Sequence, residues 1–247
     1  LKPTGPHYME DLFAAGGSGA VLRELQPLLH LDCLTVAGET LGERLAGPAG
    51  PIDRNVVKPL AEPLQPVGGL VALFGSLAPK GAIFKRSAAD PKLFEKEGRA
   101  VVFTSLEDLS ARIDDPGLDV TPDDFLVLQN AGPLSASGMP EAGYLPIPQK
   151  LARAGVKDMV RISDARMSGT AYGTIVLHVT PDAASGGPLA KVRNGDRIRL
   201  SVKQRRIDLL VAPEELARRP VAPTPVPERG YAQLYRNQVL QADRGCD

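Results

Sequence analysis

Cysteine is scarce in this chain: Cys33 and Cys246, near opposite ends of 247 residues, are the only two. They make no disulfide framework, and a reducing cytoplasm is the expected setting. Nor can they hold an iron–sulfur cluster alone, since that takes about three or four protein thiolates. Net charge is also lacking. Lys plus Arg and Asp plus Glu number 29 each, so no overall field draws the chain to nucleic acid or to an anionic membrane. No apolar run approaches the roughly 18 residues of a membrane-spanning helix, and no charged-then-apolar leader opens the sequence. No internal repeat is present. The first residue is not Met, and a fragment of a longer polypeptide is the expectation.

With 43% hydrophobic and 23% charged residues, the composition is that of globular material, enough for one large domain or one domain plus part of another. Short helices are expected over His7 to Ala15, over Ala20 to Leu29 with Ser18 as N-cap, and over Thr40 to Leu45. Pro27 sits awkwardly in the second of these. Five prolines between Gly47 and Pro66 read as an extended linker, dividing an end of one domain (1–60) from a second domain (61–247).

Beyond the linker the pattern changes to apolar runs of strand length: 70–74, 82–85, 100–104, 125–128, 159–162, 175–179, 197–202 and 207–211. Lys203 to Arg206 would join the last two, with Asn194-Gly195 as a turn entering the pair. Interspersed helices are brief, one after Ser105 to Asp108, one over Ile147 to Ala154 and one opening at Pro213. Eight short strands with few helices predict an α/β domain whose strands form a closed or nearly closed barrel, because closure removes exposed strand edges.

Chemistry-bearing residues gather in two loops. Arg161 to Gly173 reads R-I-S-D-A-R-M-S-G-T-A-Y-G, rich in small and polar side chains. It is either a small-molecule loop, with hydroxyls and peptide N–H groups converging on an anion, or a hydrophilic turn between strands. Asn130-Ala131-Gly132-Pro133, followed by Gly138-Met139-Pro140-Glu141, comes just after a strand, and Glu141 is either a ligand for a hard cation such as Mg2+ or a solvated carboxylate. Gly186-Gly187-Pro188 and Asn194-Gly195-Asp196 read as turns, since no Lys-Ser/Thr pair follows either. His178 reads as structural, and His7 and His30 have no partner nearby in sequence. Arg205-Arg206 and Arg218-Arg219 read as solvated surface.

The ordered series L-K-P-T-G-P-H-Y-M-E-D-L (1–12), L-D-C-L-T-V-A-G-E-T-L-G-E (31–43), G-S-L-A-P-K-G-A (75–82), G-M-P-E (138–141), S-D-A-R-M-S-G-T (163–170) and G-G-P-L-A-K-V-R-N-G-D-R-I (186–198) resembles the C-terminal part of the family of dihydroxy-acid, phosphogluconate and sugar-acid dehydratases. G-Y-L-P-I-P at 143–148 and the tail at 229–247 resemble the sugar-acid (aldonate) branch, of arabinonate or xylonate type. The chain departs from the family at Leu134-Ser135, where Lys-Gly is usual, at Ala165, where Gly is usual, and at Lys80, where an acidic residue is commoner.

The resemblance implies a C-terminal eight-stranded barrel-like domain of swivelling β/β/α type, flanked by helices and preceded by the helical end of an N-terminal α/β domain. It implies a cytoplasmic, Mg2+-dependent hydro-lyase with an iron–sulfur cluster whose cysteines, like most Mg2+ ligands, lie outside this chain. Ser168 would be the base for the C2 proton, Gly169 and Thr170 would meet the substrate carboxylate, and Glu141 would complete the Mg2+ shell. A C2 proton beside a carboxylate is weakly acidic, so its removal needs the developing enediolate neutralised. The implied partners are a small sugar acid, the remaining N-terminal domain of the same polypeptide and further copies in a homo-oligomer, with no nucleic acid and no membrane. The other readings are a dihydroxy-acid dehydratase of branched-chain substrates and a non-catalytic assembly barrel.

Overall fold

The computed structural model describes the whole chain except residues 3–4, 49, 140–144 and 167–171. It divides into two compact units, Leu1–Gly68 and Gly69–Asp247. The first holds helices α1 (Met9–Ala14), α2 (Gly17–Glu24) and α3 (Leu41–Ala46). Thr40 caps α3 reciprocally: its hydroxyl accepts from Glu43 N at 3.1 Å while the Glu43 carboxylate accepts from Thr40 N at 2.7 Å. Ser18 does not cap α2. The helix starts one residue earlier, behind Gly16 at φ 102°, a left-handed conformation that glycine adopts without a Cβ penalty. It also stops at Glu24, and Pro27, which cannot donate to a continuing helix, sits in a 3-10 turn. His7 finds a neighbour one helical turn on, with Nδ1 3.9 Å from the Asp11 carboxylate.

The second unit contains β1 (Leu70–Leu73), β2 (Gly81–Lys85), β3 (Glu95–Phe103), α4 (Leu106–Arg112), β4 (Phe125–Leu128), α5 (Gln149–Arg153), β5 (Arg161–Ser163), β6 (Ile175–Thr180), β7 (Arg197–Ser201), β8 (Arg206–Leu209), α6 (Pro213–Arg218) and α7 (Gly230–Gln238). The strands form one sheet in the order β1-β2-β6-β5-β4-β3-β7-β8. β3, β4, β5 and β6 run parallel, and the flanking pairs are antiparallel. The two outer strands then meet. Phe74 N donates to Arg205 O at 2.9 Å and Ile207 N donates to Phe74 O at 3.0 Å, so the sheet is the nearly closed barrel expected of eight short strands.

Alternation along the strands sorts the apolar residues into two cores. One lies inside the barrel and takes a side chain from every strand, among them Leu73, Phe84, Val102, Val127, Ile162, Val176, Ile198 and Ile207. The other lies outside, where Val101, Phe103, Leu126 and Leu128 pack with Leu109 of α4 and with Leu145 and Met159. Burial on both faces is why these parallel strands read as unbroken apolar runs.

In the second unit three features departed from expectation. β3 extends back to Glu95 through a charged half that pairs with β7; Glu97 and Arg197 meet there at 2.8 Å, and no apolar pattern marks the segment. α7 has so few core contacts that none of its residues is buried. Arg219 is not solvated surface: it is buried against Asp196 at 2.5 Å, Glu215 at 2.5 Å and Lys191 O at 2.9 Å.

Gly75 holds the closure open to no other residue. A Cβ there would stand 2.0 Å from Ile207 O, at φ 157°. Gly75→Ala should therefore push β1 and β8 apart, lowering stability by about 1–3 kcal/mol in urea unfolding and speeding hydrogen exchange at Phe74 and Ile207. Unchanged exchange at both amides would show that the closure does not depend on this glycine.

Candidate functional site

β4 and β5 are parallel neighbours in a register that sets Leu128 opposite Ser163. The loop from Gln129 and the loop from Asp164 therefore leave the same edge side by side, at the carboxyl ends of parallel strands, where ligands of such sheets commonly bind. Glu141, Ser168, Gly169 and Thr170 all lie outside the described residues, so the site is defined by the residues that hold the two loops.

At the carboxyl end the holder is Asp164, whose residue is 0% exposed. Its Oδ1 accepts from Ala131 N at 3.0 Å and its Oδ2 from Ala183 N at 2.8 Å, tying the exits of β4, β5 and β6 to one carboxyl group. Asp182, also buried, accepts from Leu134 N at 2.8 Å and Ser185 N at 2.9 Å. Gly132 lies against both; a Cβ on it would come 2.5 Å from Asp182 Cβ and 3.0 Å from Asp164 Oδ2. The glycine of the Asn-Ala-Gly-Pro motif thus allows two buried carboxyl groups to reach the loop backbone.

The C-terminal segment braces the same loop. Gln241 Oε1 accepts from Asp182 N at 2.8 Å, Arg236 donates to Leu134 O, and the Cys246 thiol meets Met139 Sδ at 3.4 Å. Burial first, then the charge of Asp182, holds the Cys246 thiol above its usual pKa. At the exit of β4, Gln129 donates to Leu189 O at 2.7 Å and Val192 O at 3.0 Å, and Asn130 donates to Thr104 O at 2.9 Å. A cleft of about 370 Å³ opens there between Ser105, Asn130, Ser137 and Thr224.

At the amino end of β5 the holder is Arg161, paired with Asp158 at 3.0 Å, with both side chains buried. Its Nη1 donates to Leu145 O at 2.9 Å and its Nη2 to Tyr172 O at 3.2 Å. Burial lowers the Arg161 pKa and the Asp158 charge opposes that shift. Asp158 in turn accepts from Thr174 N at 2.9 Å and Thr174 Oγ1 at 2.6 Å. Gly173, at φ 118°, makes room: a Cβ would fall 1.7 Å from Arg161 Nη2.

His178 takes no part in this network beyond its backbone, whose N–H donates to Ala165 O at 3.2 Å. Its imidazole pKa is lowered, by burial first and then by the charge of Arg166. The sequence signal for these holders was present but unspecific: Asp158 precedes the apolar run 159–162 and Arg161 interrupts it, and a charge in or beside such a run is buried only if it is paired.

Among the described residues no group of three His, Cys, Asp or Glu side chains stands close enough to hold a metal ion. Cys33 is exposed within its own unit, and Cys246 is engaged by Met139. The described residues therefore do not fit an iron–sulfur cluster or an assembled Mg2+ site. Among the described residues no helix is long and apolar enough to cross a membrane.

Residues 55–246 match the family model described as dihydroxy-acid/6-phosphogluconate dehydratase C-terminal, and residues 1–44 match the corresponding N-terminal model. The chain is 49% identical to the L-arabonate dehydratase of Azospirillum brasilense, over 100% of the chain and 44% of that protein. It is 47% identical to the 6-deoxy-6-sulfo-D-gluconate dehydratase of Pseudomonas putida, with the same coverage. A dihydroxy-acid dehydratase of Carboxydothermus hydrogenoformans is 40% identical over 100% of the chain and 45% of that protein. The chain thus spans less than half the length of these relatives.

Asp164 gives this region a pH signature. Burial, and secondarily the charge of Asp182, raise its pKa to about 7 against the opposing N–H groups of Ala183 and Ala131. Between the unfolded carboxyl value near about 4 and about 7, the folded chain keeps a proton that the unfolded chain releases. The stability due to this group is therefore full below that window, falls as pH rises through it by up to about 1.4 kcal/mol per pH unit, and is flat above. Asp164→Asn should remove this component, so that the parent-minus-variant difference in urea stability falls from pH 4 to 7. A difference that stays level across the window would mean that Asp164 is ionised throughout.

Proposed function

The chain belongs to the dihydroxy-acid/6-phosphogluconate dehydratase family, and on that premise we propose that the whole protein is a sugar-acid dehydratase converting an aldonate to a 2-keto-3-deoxy acid. The observation that carries this reading is the register that sets Leu128 opposite Ser163, since the G-M-P-E and S-G-T segments follow these two strands in the sequence. A sugar acid is favoured because relatives named for sugar acids are 47–49% identical, against 40% for the dihydroxy-acid dehydratase of Carboxydothermus hydrogenoformans.

In this reading Ser168, as its alkoxide, takes the C2 proton, while the Gly169 N–H and the Thr170 hydroxyl receive the substrate carboxylate. The C2–H and C3–OH bonds break as the C2=C3 double bond forms, and the proton taken from C2 leaves with the C3 hydroxyl as water; the resulting enol loses its O–H proton and gains one at C3 to give the 2-keto acid. Glu141 is assigned to Mg2+ and the iron–sulfur cluster to residues beyond this chain. No step is derived through either, since the described residues do not fit them.

A serine is a weak base unless its surroundings favour the alkoxide, so the hydroxyl should be indispensable. Ser168→Ala in the full-length protein should lower kcat for an aldonate by about 10²- to 10⁴-fold with the thermal midpoint nearly unchanged. Near-parental turnover by a folded Ser168→Ala protein would remove Ser168 from the mechanism.

A further inference from the structure

Arg161 does more than close an ion pair. A guanidinium is a rigid planar fork, and two of its nitrogens point to fixed places at once. Here Nη1 holds Leu145 O and Nη2 holds Tyr172 O, carbonyls 16 and 11 residues away in opposite directions along the chain. Leu145 directly follows residues 140–144 and Tyr172 directly follows residues 167–171. One side chain therefore holds two carbonyls that lie, in the sequence, shortly after Glu141 and shortly after Thr170. Nearer the strand ends, the same two loops meet where Asp164 Oδ1 accepts from Ala131 N at 3.0 Å.

The grip is rigid because everything around it is committed. Asp158 holds Arg161 Nη2 at 3.0 Å, and the same carboxylate accepts from Thr174 N at 2.9 Å and Asp90 N at 3.2 Å. Both charged side chains are buried, with 7% and 5% of their surfaces exposed, so water offers the guanidinium little competition. Gly173 leaves the seat that the fork occupies.

We propose that Arg161 is a positioning residue for the reaction, acting by clamping the carbonyls of Leu145 and Tyr172 in one fixed relation. The clamp deepens the dehydratase reading, and its catalytic consequence rests on that reading. Lysine keeps the charge beside Asp158 but lacks the fork, so it can satisfy only one of the two carbonyls in the clamp geometry.

The test is made on the full-length protein with Arg161→Lys, using hydrogen–deuterium exchange and aldonate turnover together. Peptides covering 139–147 and 166–174 should both exchange faster than in the parent while β3 and β7 are unchanged. The kcat should fall on the order of 10²-fold, the scale of a roughly 1 Å misplacement, at a thermal midpoint within a few degrees of the parent. In Arg161→Ala, millimolar guanidinium, but not equal sodium, should restore part of kcat. The proposal is overturned if only one of the two peptides responds. It is equally overturned if Arg161→Lys keeps kcat within about twofold of the parent while Ser168→Ala is inactive. A fully active Ser168→Ala protein would instead sink the functional reading, and the exchange measurement would still decide whether the clamp exists.

Discussion

The pairing of β4 with β5 is the constraint on which the candidate site depends. A register that sets Leu128 opposite Ser163 brings two loops far apart in sequence to one edge of the sheet. Because both strands are buried on both faces, that register is pinned. Slipping by one residue would exchange Val127 and Ile162 of the barrel interior with Leu126 and Leu128 of the outer core. Barrel closure through Phe74 and Ile207 completes the frame that holds the pair in place.

Buried ionisable side chains at the two ends of β5 then convert strand pairing into loop placement. Asp164 and Arg161 are both buried, which costs desolvation free energy unless partners compensate. At Asp164 the compensation is two backbone N–H groups and a raised pKa; at Arg161 it is Asp158 and two loop carbonyls. Removing one partner of a buried pair typically costs about 3–5 kcal/mol, so each network tends to persist whole. Gly132 and Gly173 belong to the same design, since each leaves the space into which a buried charged side chain reaches.

Strands were legible in the sequence wherever burial on both faces wrote an apolar run, as in Phe125 to Leu128 and Ile175 to Val179. The charged half of β3 was not, because Glu95 to Arg99 gains its order from cross-strand partners on β7 such as Arg197. α7 escaped notice for a related reason: a helix with no buried residue leaves no apolar stripe. The site residues Glu141, Ser168, Gly169 and Thr170 were reached by motif resemblance, and the reading of their roles remains a proposal. The residues that hold their loops could not be read locally. The carbonyl partners of Arg161 are chosen by tertiary approach, and carbonyls look alike in every sequence. Arg219 teaches the same point, since only the folded chain shows that one arginine of an Arg-Arg pair is buried against Asp196.

Central to the proposed function is the preference for a sugar acid over a branched dihydroxy acid. The most direct measurement is anaerobic turnover by the purified full-length protein with a panel of C5 and C6 aldonates beside 2,3-dihydroxy-isovalerate, following formation of the 2-keto product. The account predicts that one aldonate gives the highest kcat/KM and yields a 2-keto-3-deoxy acid. A higher kcat/KM for the branched dihydroxy acid, or no dehydration of any acid by the folded, cofactor-replete protein, would contradict it.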